Sequence, residues 1–137
     1  MDAKYHIRHD LRGGSLETQA GAAQKFIAER EAQDKLLLYQ VLEEHARADR
    51  PNHLFLEYAG RSWTYKAFHA DVQRVGNWLL NDLGIQKGEV VALDGPNSAE
   101  YLLLWFALDG IGACPALINC NLTSDALQYC VTVSVIV

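Results

Sequence analysis

Residues 89–118 read EVVALDGPNSAEYLLLWFALDGIGACPALI, and this stretch decides the fold. The apolar run at 90–93, with acidic residues on both sides, is typical of a strand buried on both faces of a parallel sheet. A second apolar run at 113–118 predicts another such strand. The segment 98–108 between them is apolar almost all round, which predicts a core helix. Strand, helix and strand form a βαβ unit with a right-handed crossover, so the predicted fold class is α/β.

Cap and turn residues mark the borders of this unit. Asn97 or Ser98 is predicted to cap the helix, and Gly110 and Gly112 are predicted to end it. Pro115 fits the first positions of the second strand or a sheet edge, because proline cannot donate a ladder hydrogen bond.

A β-hairpin and a long helix precede the βαβ unit. Residues 53–58 and 62–64 predict two short strands joined by a tight turn that contains Gly60. Thr64 is predicted to cap the next helix, and Gly84 stands where that helix is expected to stop. The apolar positions of the helix recur at steps of three and four residues, and they are Tyr65, Phe68, Val72, Val75, Leu79 and Leu83.

The chain divides by pattern near residue 33. Residues 1–33 have few apolar side chains and predict an N-terminal surface segment, helical in its second half after a break at Gly13-Gly14. Asp34 is predicted to cap a helix that ends at Pro51-Asn52, with Glu43 placed to reach Arg47 at i,i+4, and residues 34–137 hold every predicted strand.

Composition excludes several classes of protein. The 137 residues suffice for one domain, and half of them are apolar, as in globular proteins. Twelve basic residues against seventeen acidic ones give a formal net charge of −5, which argues against nucleic-acid binding. Cys114, Cys120 and Cys130 form no close pair, so we expect free thiols that act as small core residues in a reducing compartment. No cysteine or histidine spacing matches a zinc site.

One stretch, residues 101–118, is long and apolar enough to be tested as a membrane span. Asp109 near its centre, followed by glycines and a proline, favours a buried helix that breaks and becomes a strand. The first residues carry charge with no apolar run behind them, so we expect neither a secretory signal nor a transmembrane segment.

Polar side chains gather after both predicted strands: Asp94 and Asn97 after the first, Asn119 and Asn121 after the second. Open α/β sheets bind ligands at this edge. Asp and Asn are also the ordinary residues of caps and turns, and this second interpretation is favoured. No phosphate-binding glycine loop and no nucleophile–base set follows from spacing. Composition and spacing alone therefore leave the function open.

Several motifs taken together resemble one enzyme family. Residues 61–68, RSWTYKAF, resemble an opening motif of adenylate-forming enzymes. Residues 115–122, PALINCNL, and 127–130, LQYC, resemble the fatty acid transport protein and very-long-chain acyl-CoA synthetase branch of that family. Residues 3–10 are similar to its fungal members, and the whole resemblance covers residues 3–133.

The resemblance implies a mainly parallel sheet and a reaction that uses fatty acid, ATP, Mg²⁺ and coenzyme A. The family's phosphate loop, nucleotide-binding motifs and C-terminal lysine have no counterpart among these residues. We therefore carry over no catalytic, cofactor-binding or metal-binding residue. Tyr65, Gly112, Pro115 and Asn119 match family motifs, and we interpret them as structural.

The resemblance thus implies the N-terminal part of a long- or very-long-chain fatty acid–CoA ligase, with a possible coupling to fatty acid uptake. Residues 34–137 are the expected incomplete part of its AMP-binding domain. By itself the chain is expected to be inactive and to bind no ATP, Mg²⁺ or CoA. An open sheet edge and the uncharged tail 131–137 predict aggregation or chaperone association.

The family implies an intracellular, membrane-associated protein of the endoplasmic reticulum, peroxisome or lipid droplet. The alternative is a non-catalytic interaction module that pairs with or regulates a ligase. An unrelated flavodoxin-like domain is a third interpretation, and it needs more βα units than the chain supplies.

Overall fold

The computed structural model describes residues 16–134, in two compact units that divide between Leu36 and Leu37. The first contains α1 (Leu16–Ala32). The second contains α2 (Leu38–Glu44), β1 (Leu54–Tyr58), β2 (Arg61–Thr64), α3 (Tyr65–Asn81), β3 (Val90–Asp94), α4 (Ala99–Ile111), β4 (Cys114–Ile118) and α5 (Ser124–Ser134). A π-helical turn, His45–Asp49, extends α2. Residues 3–10, the Gly13-Gly14 break and the end of the tail (135–137) lie outside the described residues.

The turn after α1 differs from its prediction. The Lys35 N–H donates to the Arg30 carbonyl at 2.8 Å, and Asp34 adopts a left-handed φ of 54° there. Asp34 therefore belongs to this turn and does not cap the next helix. Helix α2 begins three residues later than that prediction, and Gln40 Oε1 accepts a hydrogen bond from the Leu37 N–H at 3.0 Å.

The hairpin and its helix are confirmed. Strands β1 and β2 pair antiparallel around a two-residue turn, in which Ala59 (φ 49°) and Gly60 (φ 77°) are both left-handed. Thr64 Oγ1 accepts from the Ala67 N–H at 3.2 Å and caps α3. Because α3 ends at Asn81, Leu83 lies beyond the apolar stripe and is 55% exposed, so its predicted place on the stripe was wrong.

The βαβ unit is confirmed as well. Strands β3 and β4 pair in parallel, with Asp94 opposite Ile118 at the carboxyl end. Ser98 Oγ caps α4 by accepting from the Tyr101 N–H at 3.1 Å. Gly112, with φ 78°, ends the helix in the left-handed conformation that glycine adopts without strain.

Gly110 does not end α4 as predicted but lies within its last turn. A Cβ atom at this position would come within 2.7 Å of Tyr39 Cδ2. The missing side chain therefore lets the Tyr39 ring approach the helix closely.

The core lies among the hairpin and helices α2, α3 and α4. Phe68 is completely buried, and its ring packs edge-on against Phe106 and tilted against Phe55, with centroids 5.7 and 4.8 Å away. Val72 and Leu108 are fully buried beside it.

The two-stranded sheet is only half covered, contrary to the prediction that both faces are buried. Leu93 and Ile118 are buried, whereas Leu117 is 46% exposed. Cys114 and Cys120 are also exposed, so they are not the core residues that the sequence predicted. Two strands with no further neighbours among residues 16–134 leave part of each apolar run open to solvent.

Within residues 16–134 no helix is long and apolar enough to cross a membrane. The apolar stretch 101–118 is divided between α4 and β4.

Candidate functional site

The first candidate site is the carboxyl edge of the parallel sheet, where the polar side chains were predicted to gather. Asp94 ends β3, and Asn119 follows β4 at the same edge. Asn119 Oδ1 accepts from the Asn121 N–H at 3.0 Å and from Asn121 Nδ2 at 3.2 Å. These two amides serve the turn, which agrees with the favoured interpretation.

Asn97, the fourth of these residues, borders an apolar pocket between β1 and the start of α4. Leu56, Leu102 and Trp105 line much of this cavity of about 190 Å³. Its volume is below the range of about 300–1,000 Å³ usual for small-molecule sites. No carboxylate, histidine or lysine lines it, so the pocket suits an apolar group.

The ion pair between Arg61 Nη1 and Glu100 Oε1, at 3.3 Å, links the hairpin to α4 near this pocket. The Arg61 guanidinium also lies 4.5 Å from the centre of the Trp63 ring. Trp63 is buried, and its indole N–H donates to Asp71 Oδ2 at 3.0 Å.

The second candidate site is a buried polar cluster between α2 and α3 that sequence reasoning missed. His69 is 7% exposed, and its Nε2 lies 3.1 Å from the Tyr39 hydroxyl and 3.9 Å from Glu43 Oε1. Glu43 also accepts from Arg47 Nη2 at 2.8 Å, an i,i+4 pair that the sequence predicts.

The two ring groups of the cluster have shifted pKa values. Burial lowers the pKa of His69, and Arg47 adds to this while Glu43 opposes it. Burial, together with Glu43, raises the pKa of Tyr39. The Tyr39 N–H donates to Asp109 Oδ2 at 2.9 Å, so one residue connects α2 with both α3 and α4.

Comparison with known proteins identifies the family. A family model described as "AMP-binding enzyme" matches residues 42–137. The chain belongs to the AMP-binding enzyme family. The resemblance read from the sequence is thereby confirmed at the family level.

Two curated relatives place it within this AMP-binding family. The very long-chain fatty acid transport protein of Cochliobolus heterostrophus is 47% identical over 133 residues, which are 96% of this chain and 20% of that protein. The crotonobetaine/carnitine–CoA ligase of Salmonella paratyphi A is 37% identical over 65 residues, 47% of this chain and 12% of that one. The chain thus spans about a fifth or less of these relatives' length.

A solved structure supports the AMP-binding fold. The Klebsiella oxytoca NpsA N-terminal subdomain, solved in complex with anthranilyl-AMSN, matches with a TM-score of 0.66 over 72% of this chain and 25% of that chain. Its sequence identity is 21%, so the likeness concerns the fold.

The four residues that match AMP-binding motifs have structural positions. Tyr65 packs its ring against Phe55, with centroids 4.9 Å apart. Gly112 ends α4, Pro115 lies in β4, and Asn119 holds the turn described above. Among residues 16–134 no three His, Cys, Asp or Glu side chains come together as a possible metal site.

Proposed function

We propose that this chain is part of an ATP-dependent ligase that converts long- or very-long-chain fatty acids to acyl-CoA. The single observation that supports this most is the 47% identity, over nearly the whole chain, to a very long-chain fatty acid transport protein. The relative named as a CoA ligase supports coenzyme A as the acceptor.

In the proposed reaction, the fatty acid carboxylate attacks the α-phosphorus of ATP and pyrophosphate leaves, which gives an acyl-adenylate. The CoA thiol then attacks the acyl carbon, AMP leaves, and the thiol proton passes to solvent. Mg²⁺ neutralises phosphate charge in reactions of this class. Among residues 16–134 no three His, Cys, Asp or Glu side chains come together to hold this ion.

We further propose that this stretch serves as scaffold. Residues 34–137 would form part of the AMP-binding domain, with residues 1–33 as a surface segment, and none of the 137 residues would be catalytic. The half-covered sheet supports this view, because parallel sheets are normally covered on both faces. We expect the isolated chain to be inactive and prone to aggregate or to bind chaperones, and the ligase to associate with intracellular membranes.

A graft tests the proposal. The corresponding fifth of the Cochliobolus relative is replaced by this chain, and acyl-CoA formation from a very-long-chain fatty acid is measured beside ATP–pyrophosphate exchange by the isolated chain. We expect an active graft and no exchange above a blank by the isolated chain. A graft that folds but forms no acyl-CoA would contradict the ligase assignment, and exchange by the isolated chain would contradict the scaffold role.

The isolated chain also distinguishes the scaffold role from the alternative, a non-catalytic interaction module. A monodisperse protein with one cooperative melting transition would favour an interaction module, whereas aggregation favours the scaffold.

A further inference from the structure

A cleft with basic side chains lies between the π-helical turn and α3, on residues that the proposed reaction does not use. Arg47 lines it from the turn, and Lys66, His69 and Gln73 line it from α3. Its volume of about 420 Å³ is within the usual range for small-molecule sites, about 300–1,000 Å³. One wall of the cleft is a turn of π-helix, and such turns occur frequently at functional sites.

The two basic side chains of the cleft differ in whether a carboxylate neutralises them. Lys66 is exposed, and its ammonium has no carboxylate partner among residues 16–134. The Arg47 guanidinium is oriented by Glu43, which neutralises one of the two cations. An uncompensated positive charge therefore remains in one cleft of a chain whose formal net charge is −5.

The buried face of the cleft is rigid. His69 is held by the Tyr39 hydroxyl at 3.1 Å, and the Lys66 N–H donates to the Pro51 carbonyl at 3.0 Å. Lys66 thus rises from a hydrogen-bonded backbone, and Arg47 lines the cleft from the π-helical turn. A planar guanidinium with several donors, beside a mobile ammonium, suits the oxygens of a phosphate.

We propose that this cleft binds the phosphate group of a small phosphate ester or of a lipid headgroup. Lys66 supplies the charge, Arg47 supplies directed N–H donors, and Gln73 supplies an amide at the rim. The site does not depend on the proposed ligase activity, since none of its residues takes part in that reaction.

The test measures binding of labelled inorganic pyrophosphate by equilibrium dialysis, with the full chain fused to maltose-binding protein for solubility. We expect saturable binding that weakens with salt and falls about fivefold in Lys66→Gln. Lys66→Arg should restore it. Lys25→Gln on α1, which removes an exposed lysine that lies outside the cleft and pairs with Glu29, should leave it unchanged.

Several outcomes would overturn the proposal. Binding no stronger than that of the fusion partner alone would do so, and so would equal losses in Lys66→Gln and Lys25→Gln. Phosphatidylcholine vesicles with and without phosphatidic acid distinguish the two sources of phosphate. Lys66-dependent binding to the acidic vesicles, without binding of soluble pyrophosphate, assigns the cleft to a lipid headgroup, whereas vesicle binding independent of Lys66 contradicts it.

Discussion

The helical part and the sheet of the second unit differ in how much of their apolar surface they cover. Helices α2, α3 and α4 with the hairpin enclose Phe68 completely. In the β3–β4 sheet, Leu117 is nearly half exposed and Cys114 lies at the surface.

This difference shows that the two regions depend on different partners. The helices find their apolar neighbours within residues 39–113. A parallel sheet needs layers on both faces, and the described residues supply only part of them. Free energy of unfolding should therefore be concentrated in the helical part.

The largest expected effect comes from two side-chain substitutions, one in each region, that compare the regions directly. Phe68→Ala should lower the free energy of unfolding by about 3–5 kcal/mol, because it empties a fully enclosed site. Leu117→Ala should cost about 1 kcal/mol or less, because this side chain is already in contact with water. Pulse proteolysis in urea of the chain fused to maltose-binding protein measures both losses. Equal losses would mean that the sheet is as well packed as the helices.

A smaller effect sharpens the comparison within the helical part. Gly110→Ala should destabilise the protein by about 1–3 kcal/mol, since the new Cβ would lie 2.7 Å from Tyr39 Cδ2. Gly76→Ala is the matched control in α3, where the nearest atom, Ile111 Cγ2, is 3.4 Å away. It should be neutral or stabilising by up to about 1 kcal/mol, because alanine favours a helix. A neutral Gly110→Ala in the same urea series would show that the Tyr39 ring is not held in place.

The smallest expected effect concerns pH. The pKa of His69 is lowered from 6.5, chiefly by burial, so the folded state favours the neutral ring. Its contribution to stability is present above pH 6.5 and is lost as the pH falls below that value, because the unfolded chain takes up the proton first.

His69→Gln should flatten this acid-side fall in the free energy of unfolding. His53→Gln serves as its control, because His53 is exposed on the surface. Denaturation curves at a series of pH values check the pair. An unchanged slope in His69→Gln would show that other groups cause the acid loss.

Local signals made much of the fold predictable. The hairpin turn at Gly60, the caps Thr64 and Ser98, and the buried positions Phe68 and Val72 of α3 each depend on residues a few positions apart. The family could also be recognised, because its motifs are short and follow in order.

The polar cluster could not be predicted in this way. Tyr39 meets His69 across 30 positions and Asp109 across 70, and no periodicity reports such a pairing. His69 follows Phe68 on α3, where an exposed polar residue is the ordinary expectation. Gly110 gave a misleading signal, because a glycine near a helix end usually stops the helix.

The sequence by itself therefore determined the order of helices and strands, the parallel βαβ unit and the family, because caps, turns and apolar periodicity act over short distances. Only the tertiary structure decided which groups meet and which stay exposed. Packing of α2 against α3 buried His69, and the π-helical turn beside α3 formed the basic cleft. The absence of further layers among residues 16–134 left the sheet half covered. Burial depends on every element that packs nearby, and no local stretch of sequence contains that information.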